Sequence, residues 1–330
     1  MEHRMNGIHT EPELFADLIL ATSDALAIPA QLIEKDYYIS MVLRSLSEST
    51  YAPQIVFKGG TSLSKAYHLI NRFSEDVDFA VLSNQMSGNQ VKRLLSHLMK
   101  EITVGLVEDT GFPDISKGSK YRKQAFLYDG QIRLDTNTNP IPTRIIVEIS
   151  AFANPFPNEK RMIEPFVTAF LREQAMSDFI AQYHLEPFEL NVLSPKQTLC
   201  EKTISLIRFS MSDNPLHALS AKIRHFYDLD ALLSMGELQE YVCSEAFAKD
   251  VEALVRHDRD AFDEPKGWSE LEDLSKSPLM SGFDTLWTPL SSVYESNLSL
   301  IAYRPIPSSE AIKSSFMMLL QALKNVHVER

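Results

Sequence analysis

This 330-residue sequence predicts an α+β fold: a small mixed sheet flanked by helices, followed by a mostly helical C-terminal half. Three observations carry that reading. Short β-type runs alternate with helix-like stretches between residues 53 and 152. Helical spacing dominates after Pro195. Hydrophobic residues make up 44% of the chain and charged residues 23%, a balance that buries a core and excludes a disordered chain.

In chain order, residues 11–48 read as two helices, with Pro29 placed to open the second. Ile33, Tyr37, Met41 and Leu43 fall near one face, widened by Leu32, Ile39, Val42 and Leu46. Gln54-Ile55-Val56-Phe57 is a short β-type run that meets Gly59-Gly60 and a helix-like stretch from Thr61 to Tyr67. Asp76 to Val81 alternates as a strand does. Residues 89–107 look helical, and Lys120–Tyr128 and Thr143–Phe152 look like two further strands. Helical spacing returns at 196–211, 217–234, 237–256 and 309–328. Asp263 to Gly282, rich in Pro, Gly, Ser and acids, reads as a long surface loop. The expected organisation is N-terminal helices over 1–50, an α/β core over 51–192 and a helical domain over 193–330.

The formal charge is −12, which argues against a nonspecific polybasic coat for nucleic acid and leaves room only for a local basic patch. Lys117, Lys120, Arg122 and Lys123 form one such cluster; a nucleic-acid contact and a solvated hairpin edge are both open there. The two cysteines, Cys200 and Cys243, have no zinc-ligand spacing and are expected as reduced thiols. No apolar run reaches the ~18 residues of a membrane span, and the acidic N-terminus lacks signal-peptide character. The expectation is a soluble cytoplasmic protein with no membrane partner. HExxH, GxSxG, GxGxxG and the Walker A pattern are all absent, which disfavours a zinc protease, a serine hydrolase, a dinucleotide oxidoreductase and a P-loop enzyme.

The chemistry-bearing stretch is Lys58-Gly59-Gly60-Thr61-Ser62, followed by Ser74-Glu75-Asp76-Val77-Asp78. On a strand Asp76 and Asp78 share one side, while Val77, Phe79 and Val81 face the core. Two carboxylates so close repel each other unless a divalent cation lies between them. Metal-assisted phosphoryl transfer uses such a pair with a third acid nearby. Glu148 is the candidate third acid, opposite in face to Ile145, Val147 and Ile149; a pairing with Arg133 or Arg144 is the alternative. Gly59-Gly60 lets backbone N–H groups approach a phosphate, with Thr61 and Ser62 as hydroxyl donors.

The runs Phe57-Lys58-Gly59-Gly60-Thr61-Ser62-Leu63 and Arg72-Phe73-Ser74-Glu75-Asp76-Val77-Asp78-Phe79 closely resemble the AbiEii/AbiGii-type nucleotidyltransferase toxins of the DNA polymerase beta-like superfamily. Glu34-Lys35-Asp36-Tyr37-Tyr38, Glu201-Lys202 through Arg208, and Arg224-His225-Phe226-Tyr227-Asp228-Leu229 are similar to further motifs of that family, in its order, over residues 30–235. The resemblance implies a nucleotidyltransferase core with a helical C-terminal domain. It implies Asp76 and Asp78, with Glu148, as ligands of Mg²⁺ or Mn²⁺. It implies an NTP substrate held by Lys58, Gly59, Gly60, Thr61, Ser62, Ser74 and Arg224. Lys202 would neutralise phosphate charge and Asp228 would be an essential acid of the helical half. The superfamily's third acid is usually Asp, so Glu148 sets its carboxylate one methylene further out.

Relatives in that family are toxins of toxin–antitoxin or phage-defence (abortive infection) systems, some adding nucleotides to tRNA 3′ ends. The expected activity is therefore transfer of NMP from NTP to an RNA 3′ end, most readily tRNA, with pyrophosphate released and a cognate antitoxin as partner. Two metal ions held at Asp76 and Asp78 would serve the acceptor hydroxyl and the triphosphate. A protein-modifying, AMPylation-like transferase and a non-catalytic NTP-binding regulator are the alternatives. Taken on spacing alone, Arg224 and Asp228 form an i,i+4 ion pair on a solvated helix face. Lys35-Asp36 reads either as a local ion pair or as part of a site mouth.

Overall fold

The computed structural model describes residues 7–74, 76–83, 86–132, 141–262, 264–271, 273–324 and 326. Glu75 and Arg133 therefore lie outside the described residues, as does the far end of the expected 309–328 helix. The chain divides into two compact units, one of residues 1–68 and 73–193, the other of residues 69–72 and 194–330.

The first unit opens with two helices, α1 (Pro12–Leu26) and α2 (Ala30–Ser47). Ala27 takes a left-handed conformation and closes α1, its N–H donating to the Ser23 carbonyl. Pro29 precedes α2 with extended ψ, one position earlier than its expected place inside the helix. Leu32, Ile33, Ile39, Val42, Leu43 and Leu46 are buried, as the 3.6-residue spacing requires. Next come β1 (Ile55–Lys58), α3 (Gly59–Lys65), β2 (Asp76–Val81) and α4 (Gly88–Ile102). A capping box of Ser87 and Gln90 starts α4.

The remaining strands are β3 (Val107–Glu108), β4 (Ser116–Lys117), β5 (Tyr121–Leu127), β6 (Arg144–Ser150), β7 (Asn158–Ile163) and β8 (Phe188–Leu193). Two short helices, α5 (Phe166–Glu173) and α6 (Ser177–Gln182), separate β7 from β8. Together the strands form one eight-stranded sheet in the order β3-β5-β6-β2-β1-β8-β7, with β4 paired to β5. The sheet is mixed: β2 runs antiparallel to β1 and parallel to β6, and β5 runs antiparallel to β6.

The second unit is helical: α7 (Pro195–Ser210), α8 (Pro215–Ala221), α9 (Arg224–Leu233), α10 (Gly236–Val242), α11 (Glu245–Ala261), α12 (Pro278–Ile301) and α13 (Ser309–Leu323). Its core includes a cluster of Phe226, Phe283, Trp287 and Phe316, with Phe316 centred 4.8 Å from both Phe226 and Phe283. Two expected long helices are each broken in two. Ser244 caps the second piece of one, its hydroxyl accepting from the Phe247 N–H, so α11 starts afresh after Cys243. The expected surface loop over 263–282 is only partly one. Trp268 is fully buried, Leu274 nearly so, and α12 begins at Pro278 under a Ser277 cap. Both cysteines are free thiols, Cys200 buried and Cys243 exposed.

Among the described residues no single helix is long and apolar enough to cross a membrane. α1 and α2 reach that length and apolarity only when taken together, across a 115° bend. Its second member buries Glu34, Lys35 and Asp36 against polar partners.

Candidate active site

Sheet register assembles the acidic centre. Asp76, Asp78 and Ala80 point to one side of β2, and Val77, Phe79 and Val81 are buried on the other. Asp78 lies opposite Lys58 on β1 and opposite Glu148 on β6. Glu148 lies opposite Lys123 on β5. One row thus crosses four strands as Lys58, Asp78, Glu148, Lys123, two adjacent acids bounded by a lysine at each end. Like charges side by side on neighbouring strands destabilise a sheet, and opposite charges beside them offset it.

Glu148 is engaged at both oxygens. The Lys123 ammonium donates to Oε1 at 2.8 Å and the Tyr121 hydroxyl donates to Oε2 at 2.7 Å. Burial, then Glu148, Asp78 and Asp76, push the Tyr121 phenol well above its ordinary pKa, so it stays a neutral donor. Burial works against the Lys123 charge, but Glu148 and then Asp76 and Asp114 outweigh it and hold the ammonium protonated. Among the described residues the partners of Glu148 are thus Lys123 and Tyr121 rather than Arg144. Arg144 pairs with Asp109 at 3.2 Å and Arg133 is not among the described residues. The basic cluster is partly spent as well, with Lys117 2.8 Å from Glu108.

The glycine turn runs directly into this row. Gly59 has φ +80°, and a Cβ built on it would lie 2.1 Å from Asp78 Oδ2. Only glycine lets the chain turn there and pass so close to the carboxylate. Thr61 and Ser62 do not present free hydroxyls to a phosphate. Both are buried; Thr61 donates to the Asp76 carbonyl and Ser62 to the Gly59 carbonyl at 2.9 Å. They fix the turn and the start of β2. Ser74 is half-buried just ahead of β2.

The Glu34-Lys35-Asp36 run is neither a local ion pair nor a site mouth. Its three side chains are 1%, 1% and 3% exposed, and each grips a different segment of the first unit. Glu34 accepts from the Gln131 and Ile132 N–H groups at 2.5 and 3.4 Å. Lys35 donates to the Pro142 carbonyl at 3.2 Å and sits 5.3 Å from the Phe73 ring centre. Asp36 takes Lys65, the last residue of α3, at 2.6 Å, and the Phe166 N–H at 2.9 Å. Tyr38 adds a donation to the Asp129 carbonyl at 3.1 Å and a stack on Tyr128. The helix therefore anchors the far end of α3 and both ends of the segment between β5 and β6.

In the second unit Asp228 is completely buried. Arg72 binds it in a fork, with Nε 2.7 Å from Oδ1 and Nη2 2.6 Å from Oδ2, and Lys202 lies 2.8 Å from Oδ2. Burial alone would raise this carboxyl, but Arg72 and then Lys202 hold it well below the usual carboxylate range. Lys202 is only 9% exposed, and its ammonium is committed to Asp228. The solvated Arg224–Asp228 pair expected from spacing is absent, since Asp228 faces inward. Arg224 makes no ion pair with another described residue. Residues 69–72 are strapped into this unit by Asn71, whose N–H donates to the Tyr227 hydroxyl, and by pairing of Arg72 with Ala302. Next to the triad, His225 Nδ1 is buried without a hydrogen-bond partner, and desolvation keeps that ring neutral.

Sequence reasoning does not supply the partners of Tyr121, Lys123 and Arg72: Lys123 enters it only within a basic cluster, Arg72 only within a family motif and Tyr121 only within a strand. Alternation on β5 puts Tyr121 and Lys123 on one face, but the register that brings them to Glu148 is a tertiary fact. Arg72 reaches Asp228 from 156 positions away, and no local signal announces it.

Among the described residues no group of three or more His, Cys, Asp or Glu side chains forms a ready metal cage. Asp76 and Asp78 nonetheless suit Mg²⁺ or Mn²⁺. They are hard oxygen donors at alternate positions of one strand, and Mg²⁺ is commonly held by one or two carboxylates together with substrate phosphates and water. Glu148 fits the expected metal set less well, because both of its oxygens already accept hydrogen bonds from Lys123 and Tyr121.

The family model described as "Nucleotidyl transferase AbiEii toxin, Type IV TA system" matches residues 41–304, which is most of the chain. Among solved structures, the chain is similar to MenT4, a nucleotidyltransferase toxin of Mycobacterium tuberculosis H37Rv. That similarity covers 94% of this chain and 90% of the other, with a TM-score of 0.52 and 17% identity, and it bears on the fold. No curated protein sequence matches.

Proposed function

We propose the following reaction for this chain, which belongs to the AbiEii nucleotidyltransferase toxin family of type IV toxin–antitoxin systems: an NTP gives its nucleoside monophosphate to the 3′ end of an RNA acceptor, a tRNA, and pyrophosphate leaves. The observation that carries it is Asp78 of the β2 acid pair standing against the Gly59 turn, carboxylate and backbone within van der Waals reach.

Asp76 and Asp78 would hold Mg²⁺, which when bound would supply charge neutralisation for the transferring phosphoryl group and the acceptor hydroxyl. The backbone N–H groups at Gly59 and Gly60, with the Lys58 ammonium, receive the triphosphate. The acceptor oxygen bonds to the α-phosphorus as the bond to the β-phosphate oxygen breaks, and the electron pair departs with pyrophosphate. Arg72, Lys202 and Asp228 act as the frame of the helical unit, and Ser74 completes the nucleotide-binding set of the first unit. The antitoxin of the pair counters this activity in a cytoplasmic setting.

The test is incubation of the purified chain with total tRNA, Mg²⁺ and each α-³²P-labelled NTP, beside Asp76→Asn. Label on tRNA from the wild type alone is the expected result. Label on protein would replace RNA by a protein hydroxyl as acceptor. Nucleotide binding without pyrophosphate release would reduce the chain to a binding protein.

A further inference from the structure

We propose that Lys123 occupies the place a second cation would take in the acid row, so that the site binds one divalent cation at Asp76 and Asp78, and Glu148 is a positioning residue for Lys123. This rests on the reading of Asp76 and Asp78 as the cation's ligands.

Four observations converge. Lys123 Nζ sits 2.8 Å from Glu148 Oε1, and Tyr121 fills Oε2 at 2.7 Å, so neither oxygen faces the row unengaged. The contact is not a chance meeting of surface side chains. Lys123 and Glu148 are direct register partners within seven consecutive pairs of β5 and β6, and Tyr121 lies two residues away on the same face. Both members are about four-fifths shielded, at 22% and 21% exposure, where an ion pair is worth more than in open solvent. The field of Asp76 also reaches Lys123, which places its charge in the same electrostatic unit as the proposed metal ligands.

An ammonium fixed by the sheet gives a permanent unit positive charge that no chelator removes. It serves phosphate charge developing over the row, as a preorganised donor does. A divalent cation at Glu148 would have to displace Lys123 or sit beside it, and repulsion between the two cations opposes that.

The test is Mn²⁺ alone, titrated into the full chain and counted by electron paramagnetic resonance of the free ion. The wild type is expected to take up one Mn²⁺. Asp78→Asn should weaken it by at least about tenfold, whereas Glu148→Gln should leave it within about twofold. Lys123→Met, checked against Lys123→Gln and by circular dichroism, frees Glu148 and should tighten Mn²⁺ about fivefold or open a second site. A purely structural lysine would give no such gain. Two Mn²⁺ ions on the wild type, a Glu148→Gln loss as large as that of Asp78→Asn, or no gain in either Lys123 variant would overturn the proposal. If Asp78→Asn leaves Mn²⁺ binding unchanged, the metal assignment itself falls and takes this inference with it. If Asp78→Asn weakens binding and Lys123→Met changes nothing, only this inference falls.

Discussion

Asp228 in the helical unit and Glu148 on the sheet are both carboxylates held by a basic side chain and a second donor, yet they differ in how much water they keep. Asp228 is fully buried, with the forked guanidinium of Arg72 on both oxygens and Lys202 on one. Glu148 keeps about a fifth of its surface in solvent and shares its row with Asp78. A charge taken wholly out of water must have every partner in place, because a lost partner leaves an ion in a low-dielectric interior. A charge on a partly wet sheet face tolerates exchange of partners. Both side chains are carboxylates, and burial is what separates them.

The largest expected effect breaks that comparison at the buried end. Asp228→Ala leaves Arg72 and Lys202 facing each other without a counter-charge, and should cost about 3–5 kcal/mol of stability. Glu148→Gln should cost under about 1 kcal/mol, the range of a partly exposed pair. Chemical denaturation of the full chain, followed by circular dichroism, compares the two; equal losses would erase the distinction. The pH dependence has a definite sign. The folded pKa of Asp228 is depressed, so its contribution is complete above the ordinary carboxylate value of about 4 and is lost as acidification carries the pH down toward the folded value. Asp228→Asn should flatten the fall in Tm below that point.

A smaller effect sharpens the comparison at the open end. Gly59→Ala puts a methyl 2.1 Å from Asp78 Oδ2 at a residue with φ +80°. The backbone strain is worth about 1–2 kcal/mol. Displacement of the Asp78 carboxylate by even about 1 Å should lower transfer by roughly 100-fold. Activity should therefore fall far more than Tm; a variant that melts early but transfers normally would mean that Asp78 has room to move.

Much of this was legible in advance, for reasons that can be named. Period-2 alternation exposed Asp76 and Asp78 on one face of β2, and the scarcity of glycine made Gly59-Gly60 stand out. Both are local signals, and both sit at the sheet row. The helical half was legible only as helix. The Ser244 cap split one expected helix, and buried Trp268 turned part of an expected surface loop into core. Least legible were the charged side chains whose role depends on distant partners. Lys35-Asp36 looks like an ion pair in sequence, yet on a helix adjacent positions diverge, and Asp36 finds Lys65 while Lys35 finds the Pro142 carbonyl. Arg224 and Asp228 have ion-pair spacing, yet the inward face of α9 gives Asp228 to Arg72 and Lys202.

Glu34 is a third kind of carboxylate and gives the smallest expected effect. It is buried like Asp228, but its hydrogen bonds come from the backbone N–H groups of Gln131 and Ile132 rather than from a cation. Burial raises its pKa, and the two backbone donors offset that only in part. The sign is therefore opposite to that of Asp228. The native state holds the Glu34 proton more tightly than the unfolded chain, so stability is greatest below the unfolded value of about 4.3 and declines as pH rises through the folded one. Glu34→Gln keeps an acceptor oxygen and removes the charge. It should equal or exceed the wild type at pH 7, by less than about 1 kcal/mol, and the gap should close near pH 4. Glu34→Ala removes the acceptor as well and should cost about 1–3 kcal/mol for the stranded N–H groups. If Gln proved as damaging as Ala at pH 7, the negative charge itself would be holding residues 131 and 132, and Glu34 would belong with Asp228 as an ion whose field the fold depends on.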